Sequence, residues 1–279
     1  MTMSNVNEAD APLILFVTLG CAKNEVDTDR MRSLLLRAGY GEADDVADAD
    51  AVIVNTCSFL ASAASESIER TLELAEAARE GVRERPIVMC GCVPSRYGDD
   101  LPAELPEVAA FVRADAEDGI VGVIDGVLGR ESHVPAAEGS AAGPLAEPLR
   151  TVEGASAYIK ISDGCDRFCS FCAIPYIRGR YASRPYIEIV AEVKALAEQG
   201  VREFVLIGQD TGIWGKDLGE DDTLASLLVR LAEVVRPYGA WLRVLYLQPE
   251  GMTDELIAAI RDTPEVLPYI DMPIQHCNA

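Results

Sequence analysis

Three cysteines each follow within two residues of the end of a short apolar run, and this placement constrains how the first hundred residues can fold. The apolar runs are residues 13–19, 51–56 and 86–91. Amphipathic helical patterns separate them, and this alternation predicts a parallel sheet with helices packed on its faces. Because ligands bind outside the carboxyl ends of parallel strands, we expect Cys21, Cys57 and Cys92 to lie together along that edge of the sheet.

A second interpretation of these three cysteines stays open at this point. Free cysteine is often a small buried hydrophobe without a chemical role. Cys90 lies two residues before Cys92, inside the third apolar run, and we expect it to be a core residue of this kind. A weaker strand and helix pattern over residues 108–128 completes the N-terminal unit.

Residues 129–151 separate this unit from a second one. They are rich in Ala, Gly, Pro and Ser and lack hydrophobic periodicity, which indicates a linker. Strand patterns then resume at residues 155–162, 203–210, 240–247 and 267–276. With the three helical patterns between them, they predict the first part of a parallel βα barrel. A last parallel strand would be left with an open edge, so we expect the chain to be the front part of a longer protein.

The expected fold class is therefore α/β, with an open parallel α/β sheet domain followed by the first part of a βα barrel. The expected segments are a tail, an N-terminal domain, a linker and an incomplete second domain: residues 1–12, 13–128, 129–151 and 152–279.

Charge and hydropathy narrow the possible functions. The chain has 24 Lys and Arg against 46 Asp and Glu, a net charge of -22, so we expect no direct binding to nucleic acid. No run approaches the roughly 18 apolar residues of a membrane-spanning helix. The polar, acidic N-terminus does not resemble a secretory signal, which predicts a cytoplasmic protein. Because thiols stay reduced there, clustered cysteines indicate metal binding or catalysis before disulfides.

The segment "CDRFCSFC", residues 165–172, has three cysteines with the spacing C-x3-C-x2-C. It follows the first strand of the predicted barrel, at the end of the barrel where catalytic groups lie. The thiolates of Cys165, Cys169 and Cys172 can hold three corners of an iron–sulfur cubane and leave the fourth iron open. A zinc site with three cysteines and a histidine is the alternative, although the chain has only two histidines.

Basic residues crowd around this segment. They are Lys160, Arg167, Arg178, Arg180 and Arg184. Only Asp163 and Asp166 offset them nearby in the sequence. This local excess of positive charge predicts an anionic group on the ligand.

The cysteine spacing, with Phe171 before the last cysteine, resembles the radical S-adenosylmethionine (SAM) superfamily. The resemblance implies that the open iron chelates SAM and that an electron from the cluster cleaves it to methionine and a 5'-deoxyadenosyl radical. The residues that it implies for cofactor binding are Phe171, Gly208, Gln209, Asp210, Arg180 and Arg184. The three at the end of the second barrel strand would meet the methionine amino group, and the two arginines its carboxylate.

The segments "TLGCAKNEVDTDRM", "NTCSFLASAASESI" and "MCGCVPSRYGDDLPAELPEV" are similar to the methylthiotransferases of this superfamily. That resemblance implies a second four-iron cluster held by Cys21, Cys57 and Cys92, hence two 4Fe–4S clusters in all. It also implies a C-terminal TRAM domain and further barrel strands, which this sequence lacks.

Within that group, "GQDTGIWGKDL", "LYLQPEGMTDELI" and "YIDMPIQH" resemble the RimO-type branch. Its members add a methylthio group to the β-carbon of an aspartate in ribosomal protein S-twelve (uS12). The resemblance implies that one SAM methylates a sulfur on the N-terminal cluster and a second supplies the radical. It implies an electron donor such as flavodoxin or ferredoxin, and no side chain acting as acid or base.

Two other functions stay open from the sequence. A methylthiotransferase acting on tRNA adenosine shares the cysteine layout, but the acidic charge disfavours it unless a basic TRAM domain reverses that balance. An iron–sulfur protein without catalytic activity is the other.

Overall fold

The computed structural model describes residues 11–80, 84–130, 150, 152, 154–219 and 221–274. The chain divides into two compact units, Met1–Ser140 and Ala141–Ala279. Each unit has its own parallel sheet and its own hydrophobic core. Most of the predicted linker and most of the predicted N-terminal tail lie outside the described residues.

The first unit is built on a five-stranded parallel sheet with the strand order β2-β1-β3-β4-β5. Its strands are β1 (Leu13–Thr18), β2 (Gly41–Glu42), β3 (Ala51–Thr56), β4 (Ile87–Gly91) and β5 (Val108–Arg113). Its helices are α1 (Ala22–Arg37), α2 (Ala61–Arg79), α3 (Cys92–Tyr97), α4 (Leu101–Glu104) and α5 (Ile120–Val127). The predicted parallel sheet is confirmed. The two-residue β2 is too short to give a sequence pattern.

Alternating side chains of the central strand β3 face two separate cores. Val54 belongs to a core that includes Leu74 of α2, whereas Ile53 belongs to a core that includes Met31 of α1. This alternation is the two-residue period of a strand that is covered on both faces. Cys90 is fully buried in the second core, which confirms its assignment as a core residue.

The second unit contains a three-stranded parallel sheet with the order β10-β9-β6 and a short antiparallel pair, β7 and β8. The strands are β6 (Ser156–Lys160), β7 (Ser162–Asp163), β8 (Ala182–Ser183), β9 (Glu203–Ile207) and β10 (Trp241–Val244). The helices are α6 (Ile174–Ile177), α7 (Tyr186–Glu198), α8 (Leu224–Val235) and α9 (Asp254–Asp262). No helix among the described residues has both the length and the apolarity needed to cross a membrane.

The fourth barrel strand, predicted over residues 267–276, is wrong for 267–274, the part that the structure describes. A single parallel bridge joins Leu242 to Val266. Backbone hydrogen bonds from Leu267 N–H to the carbonyl oxygen of Leu242 (2.9 Å) and from Leu247 N–H to that of Asp271 (3.0 Å) hold the segment there without forming a strand. Pro268 and Pro273 have no amide hydrogen, so neither can donate to a neighbouring strand. The side chain of Asp271 also holds this segment, since its carboxylate accepts a hydrogen bond from the backbone N–H of Tyr246 at 2.9 Å.

Two threonines begin helices in this unit. The side chain of Thr253 accepts the backbone N–H of Leu256 at 3.1 Å, which confirms the N-cap predicted for α9. Thr223 caps α8 in the same way, and the hydroxyl of Ser226 accepts a hydrogen bond from the backbone N–H of Thr223. These side chains satisfy N–H groups that have no partner inside the helix.

An ion triad centred on the buried Glu192 ties α7 to two segments that precede it in the chain. Glu192 on α7 accepts hydrogen bonds from Arg150 and Arg184, both at 2.7 Å. Arg184 also donates to the carbonyl oxygen of Lys160 at 2.7 Å. Burial raises the pKa of Glu192, but the two guanidinium groups outweigh burial and lower it below its usual value. The carboxylate is therefore ionised and paired inside the protein.

We expect Glu192→Ala to destabilise the protein by about 3 kcal/mol, because it removes the buried carboxylate that Arg150 and the partly exposed Arg184 share. Urea unfolding measures this loss. Glu188 is the control, since it is more exposed and lies 3.8 Å from Arg184, and Glu188→Ala should change stability by less than about 0.5 kcal/mol.

The stabilisation by Glu192 should also depend on pH. Its pKa is lower in the folded protein, so the contribution is complete above the unfolded value of about 4.3. It is lost as the pH falls through the folded value. The difference in stability between the wild type and Glu192→Gln should therefore shrink on acidification below about pH 4. A difference that stays constant down to that range would contradict the ionised triad.

Candidate functional site

The structure places the N-terminal cysteines (Cys21, Cys57 and Cys92) at the carboxyl ends of three neighbouring strands. Cys21 immediately precedes α1, Cys57 follows the last residue of β3, and Cys92 is the first residue of α3, directly after β4. The strands β1, β3 and β4 are adjacent in the sheet. The three thiols therefore belong to turns at one edge of this unit.

The turns that carry these cysteines pack closely on one another. Gly20 has a φ of +106°, and a Cβ at this position would lie 2.6 Å from the Cβ of Cys57. The hydroxyl of Ser58 donates to the carbonyl oxygen of Cys92 at 2.8 Å. The turn that contains Cys57 thus contacts both of the other turns. A side chain at Gly20 would separate the turns that carry Cys21 and Cys57.

The N-terminal cysteines differ in exposure and do not form a single-ion site. Cys57 and Cys92 are buried, whereas Cys21 is exposed, and every described cysteine is free. Among the described residues, no group of three His, Cys, Asp or Glu side chains converges to hold one metal ion. A tetrahedral zinc site needs such convergence. A four-iron cubane takes each thiolate on a different iron, so its ligands stay apart.

In the second unit, the cysteine loop (residues 164–173) lies between β7 and α6. The backbone N–H of Cys165 donates to the carbonyl oxygen of Gly179 at 3.1 Å, and that of Cys172 to the carbonyl oxygen of Cys169 at 2.9 Å. These bonds fold the three cysteines into one compact loop. Burial raises the pKa of the Cys165 thiol, and the neighbouring Asp210 carboxylate and Cys172 thiol also raise it.

The cysteine loop also has a glycine that no other residue can replace without a change of backbone. Gly164 has a φ of +69°, and a Cβ there would lie 2.0 Å from the carbonyl oxygen of Arg180. The loop therefore packs with its backbone directly against the segment between α6 and β8. This close approach fixes the position of the backbone immediately before Cys165.

Aromatic side chains surround the loop cysteines. Phe168, with a positive φ of 48°, packs edge-on against Tyr176, and the guanidinium group of Arg180 lies 4.7 Å from the centre of the Phe168 ring. Phe171 and Tyr176 are 79% and 72% exposed. Large exposed aromatic side chains on one short segment are typical of a binding surface.

Arg167 joins the cysteine loop to the ends of two strands. Its Nε atom lies 2.6 Å from Oδ2 of Asp210, which follows β9, and its Nη1 atom lies 3.2 Å from Oε2 of Glu250, which follows β10. Asp210 is fully buried. From the sequence, Arg167 was only one of the basic residues that predicted an anionic ligand group. Its partners lie about 40 and 80 residues away in the chain, and no local pattern marks them.

Two buried oxygen atoms beside Arg167 can still accept hydrogen bonds from a ligand. Asp210 Oδ1 and Gln209 Oε1 have no hydrogen-bond partner among the described residues. The amide nitrogen of Gln209 donates to Asp163 at 3.1 Å, which fixes the side chain. Buried polar atoms are nearly always hydrogen-bonded in native proteins, so two open acceptors at the end of β9 suit a ligand that donates hydrogen bonds.

The basic residues around the cysteine loop are all ion-paired. The pairs are Lys160 and Arg178 with Asp163, Arg180 with Asp166, Arg167 with Asp210 and Glu250, and Arg184 with Glu188 and Glu192. Burial raises the pKa of Asp163, but Lys160 and Arg178 outweigh it and bring the pKa to about 2. The local positive excess seen in the sequence is thus balanced by the nearby aspartates, by Glu188 and Glu192, and by the more distant Asp210 and Glu250.

Trp214 and Arg184 also have clear places in the structure. Trp214 is 1% exposed, and its indole N–H donates to the carbonyl oxygen of Arg184 at 3.1 Å, so it anchors its loop by packing. The side chain of Arg184 points to Glu192 on α7.

Two family models match the chain. Residues 13–113 match the model described as "Uncharacterized protein family UPF0004", and residues 159–279 match the Radical SAM superfamily. The first range covers the sheet that carries the N-terminal cysteines, and the second covers the cysteine loop and the strands around it.

Curated relatives are similar over almost the whole chain. The ribosomal protein uS12 methylthiotransferase RimO of Synechococcus sp. (strain RCC307) is 42% identical over 281 residues, which is 99% of this chain and 55% of the relative. The proteins of the same name from Thermosynechococcus vestitus and Synechococcus elongatus are 42% and 43% identical, over 96% of this chain and 58% of each relative. The chain thus spans just over half the length of these relatives.

Solved structures share the fold at low sequence identity. The radical SAM methyltransferase TsrM from Kitasatospora setae, with its tryptophan substrate and a SAM analogue bound, has a TM-score of 0.60 and 16% identity over 90% of this chain and 57% of that chain. The cobalamin-dependent radical SAM enzyme OxsB, with aqua-cobalamin and SAM bound, has a TM-score of 0.56 and 10% identity over 90% of this chain and 42% of that chain. These similarities concern the fold.

Proposed function

We propose a function from one premise: this chain belongs to the RimO-type methylthiotransferase family of the radical SAM superfamily. The proposed activity of the whole protein is the addition of a methylthio group to the β-carbon of an aspartate in ribosomal protein uS12. The observation that carries the proposal is the pair of cysteine triads, one in the turns that follow three neighbouring parallel strands and the other in the single cysteine loop between β7 and α6.

The residues present fit two 4Fe–4S clusters and SAM. Each triad offers three thiols, the ligand that such clusters require, and leaves one iron without a protein ligand. The unpartnered acceptors Gln209 Oε1 and Asp210 Oδ1 suit the amino group of SAM. When bound, the clusters and SAM would supply the sulfur, the methyl group and the radical chemistry of the reaction. The count of two clusters is part of the proposal.

The side chains of this unit would bind and orient SAM. Gln209 and Asp210 would accept hydrogen bonds from its amino group, beside Gly208, where a Cβ would lie 2.4 Å from the hydroxyl of Ser162. The exposed ring of Phe171 would cover the ligand. Arg180 is 76% exposed at its side chain and would reach the carboxylate.

Arg184, the second proposed carboxylate contact, would first have to leave the buried pair with Glu192. That pair makes Arg180 the better candidate of the two arginines, because Arg180 has only a long contact of 3.5 Å to Asp166. With no acid or base required, the protein positions reactants and excludes water.

The proposed partners follow from charge and chemistry. A net charge of -22 attracts a basic protein and disfavours contact with nucleic acid, which supports a ribosomal protein as substrate. Reduction of an iron–sulfur cluster held by the cysteine loop would need a low-potential electron donor such as flavodoxin or ferredoxin. The proposed compartment is the cytoplasm, where free thiols persist.

The proposal is tested with the full-length protein, reconstituted with iron and sulfide without oxygen and supplied with SAM, a reductant and uS12. Peptide mass spectrometry should find a methylthio group in place of one hydrogen on an aspartate of uS12. Nucleoside analysis of tRNA treated in the same way should find no change. A methylthio group on tRNA alone would refute the proposal.

Arg167→Ala should weaken SAM binding, because it leaves Asp210 buried without its partner. We expect a loss of about 2 kcal/mol in stability, less than for a wholly buried pair because Arg167 is partly exposed. We also expect about tenfold weaker SAM binding, equivalent to about 1.4 kcal/mol. Equilibrium dialysis with SAM and urea unfolding measure the two effects.

The control for this change is Arg261→Ala, which removes an exposed ion pair with Asp262 in the same unit. It should leave both the unfolding midpoint and the SAM affinity close to those of the wild type. Equal SAM affinity for wild type and Arg167→Ala would show that Arg167 does not position Asp210 for the ligand.

A further inference from the structure

Two buried asparagines lie directly behind the N-terminal cysteines. Asn24 is in the first turn of α1, and Asn55 is the second-last residue of β3. Neither side chain is accessible to solvent. Burying an amide is costly unless its hydrogen bonds are made inside the protein, so the partners of these two amides show what they hold in place.

The amide nitrogen of Asn24 joins two of the cysteine turns. It donates to the carbonyl oxygen of Leu19 at 3.0 Å and to that of Thr56 at 2.8 Å. Leu19 lies two residues before Cys21, and Thr56 immediately precedes Cys57. This one side chain therefore fixes the backbone just before Cys21 and Cys57. In its protonated state the Cys21 thiol also donates to the amide oxygen of Asn24 at 3.6 Å, so the Asn24 side chain lies directly beside that sulfur.

Asn55 holds Asn24 and meets the third turn. Its amide nitrogen donates to the backbone carbonyl oxygen of Asn24 and to the hydroxyl of Thr28, both at 3.1 Å. On its other side, a Cβ at Gly91 would lie 2.3 Å from Oδ1 of Asn55. Gly91 has a φ of +90° and immediately precedes Cys92. The two asparagines together thus contact all three turns that carry the N-terminal cysteines.

We propose that Asn24 and Asn55 are positioning residues for the N-terminal cysteines. They set the relative positions of the three turns so that the thiols can reach one cluster, and they do not touch the reacting atoms. This inference rests on the second cluster of the proposed function. Removing groups that orient metal ligands typically lowers metal affinity by about 10- to 100-fold.

The test uses the full-length chain in which Cys165, Cys169 and Cys172 are replaced by alanine, so that all remaining cluster iron reports on the N-terminal cysteines. Asn24→Ala and Asn55→Ala are each made in this parent. After anaerobic reconstitution, each should lose iron to a chelator at least about tenfold faster than the parent. The electron paramagnetic resonance spectrum of the reduced cluster should also change, because the thiolates are held differently.

The matched control is Tyr40→Phe, in the same unit. It removes a buried hydrogen bond of 2.5 Å between the Tyr40 hydroxyl and Asp125, away from the cysteine turns. It should lower the unfolding temperature but leave iron release and the spectrum as in the parent. A purely structural role for the asparagines would give the same result for Asn24→Ala as for this control.

The possible outcomes separate the positioning role of the asparagines from the proposed second cluster. Iron release and a spectrum like the parent's in both asparagine variants would overturn the positioning role while leaving the second cluster intact. A parent that binds no iron would refute the second cluster, and the positioning role with it. Where Asn24→Ala does not fold, Asn24→Ser takes its place, because the shorter side chain keeps one donor, and the same direction of change is expected.

Discussion

Replacing the loop cysteines, Cys165, Cys169 and Cys172, with alanine is expected to abolish reductive cleavage of SAM by the full-length protein. It should also remove about four of about eight bound irons, since one four-iron cluster loses all its protein ligands. Chromatography of 5'-deoxyadenosine and an iron assay after anaerobic reconstitution measure the two effects. No methylthio group should then appear on uS12, because no radical would be formed on SAM.

Cys90→Ala is the control for this experiment. Cys90 is fully buried in the core and lies on the sheet instead of in a turn. Its loss should cost about 1 kcal/mol of stability, as for an ordinary core truncation, with full iron content. SAM cleavage that persists in the triple variant would contradict the assignment of the loop cysteines, and a loss of iron in Cys90→Ala would point to a different ligand set.

Replacing the N-terminal cysteines, Cys21, Cys57 and Cys92, should separate the two parts of the reaction. About four irons should again be lost. Methylthio transfer to uS12 should disappear, because the sulfur to be transferred would have no site. Formation of 5'-deoxyadenosine should stay within about twofold of the wild type, as expected for sites on separately folded units.

Two outcomes would contradict this prediction for the N-terminal cysteines. If the triple variant keeps all its iron, the N-terminal cysteines hold no cluster, and the buried Cys57 and Cys92 are the core residues of the alternative interpretation. If SAM cleavage disappears together with methylthio transfer, the two sites depend on each other more closely than their separate sheets suggest. Single variants Cys21→Ala and Cys57→Ala then show whether one exposed or one buried thiol is responsible.

The sequence was sufficient to predict the sheet edges on which both candidate sites lie. The strand β3 was predicted residue for residue, because a buried central strand is a continuous apolar run. The predicted fourth barrel strand failed for a local reason, since Pro268 and Pro273 interrupt pairing in a segment that is otherwise apolar. Element positions depend on such nearby patterns, and these can be read from one sequence.

Contacts between side chains from distant segments were not predictable. The partner of Arg167 is Asp210, and the partner of Asn24 is the backbone at the end of β3, each more than 30 residues away. The polar residues Asn55 and Thr56 at the end of an apolar strand were the available signal for the second case. Arg184 was expected near a ligand because its charge was counted along the sequence, whereas Glu192 pairs with it from α7.

Because the basic side chains around the cysteine loop are paired, salt should act differently on the binding of a small ligand there and on the long-range attraction of a basic macromolecule. Charges that are already neutralised by a close carboxylate have little field left at longer distances, so small-ligand binding there should change little between dilute and concentrated salt. The chain as a whole keeps its net charge of -22, which acts over many ångströms until mobile ions shield it. Ionic strength should therefore control the rate at which a basic macromolecule arrives, and leave the affinity for the small ligand almost untouched.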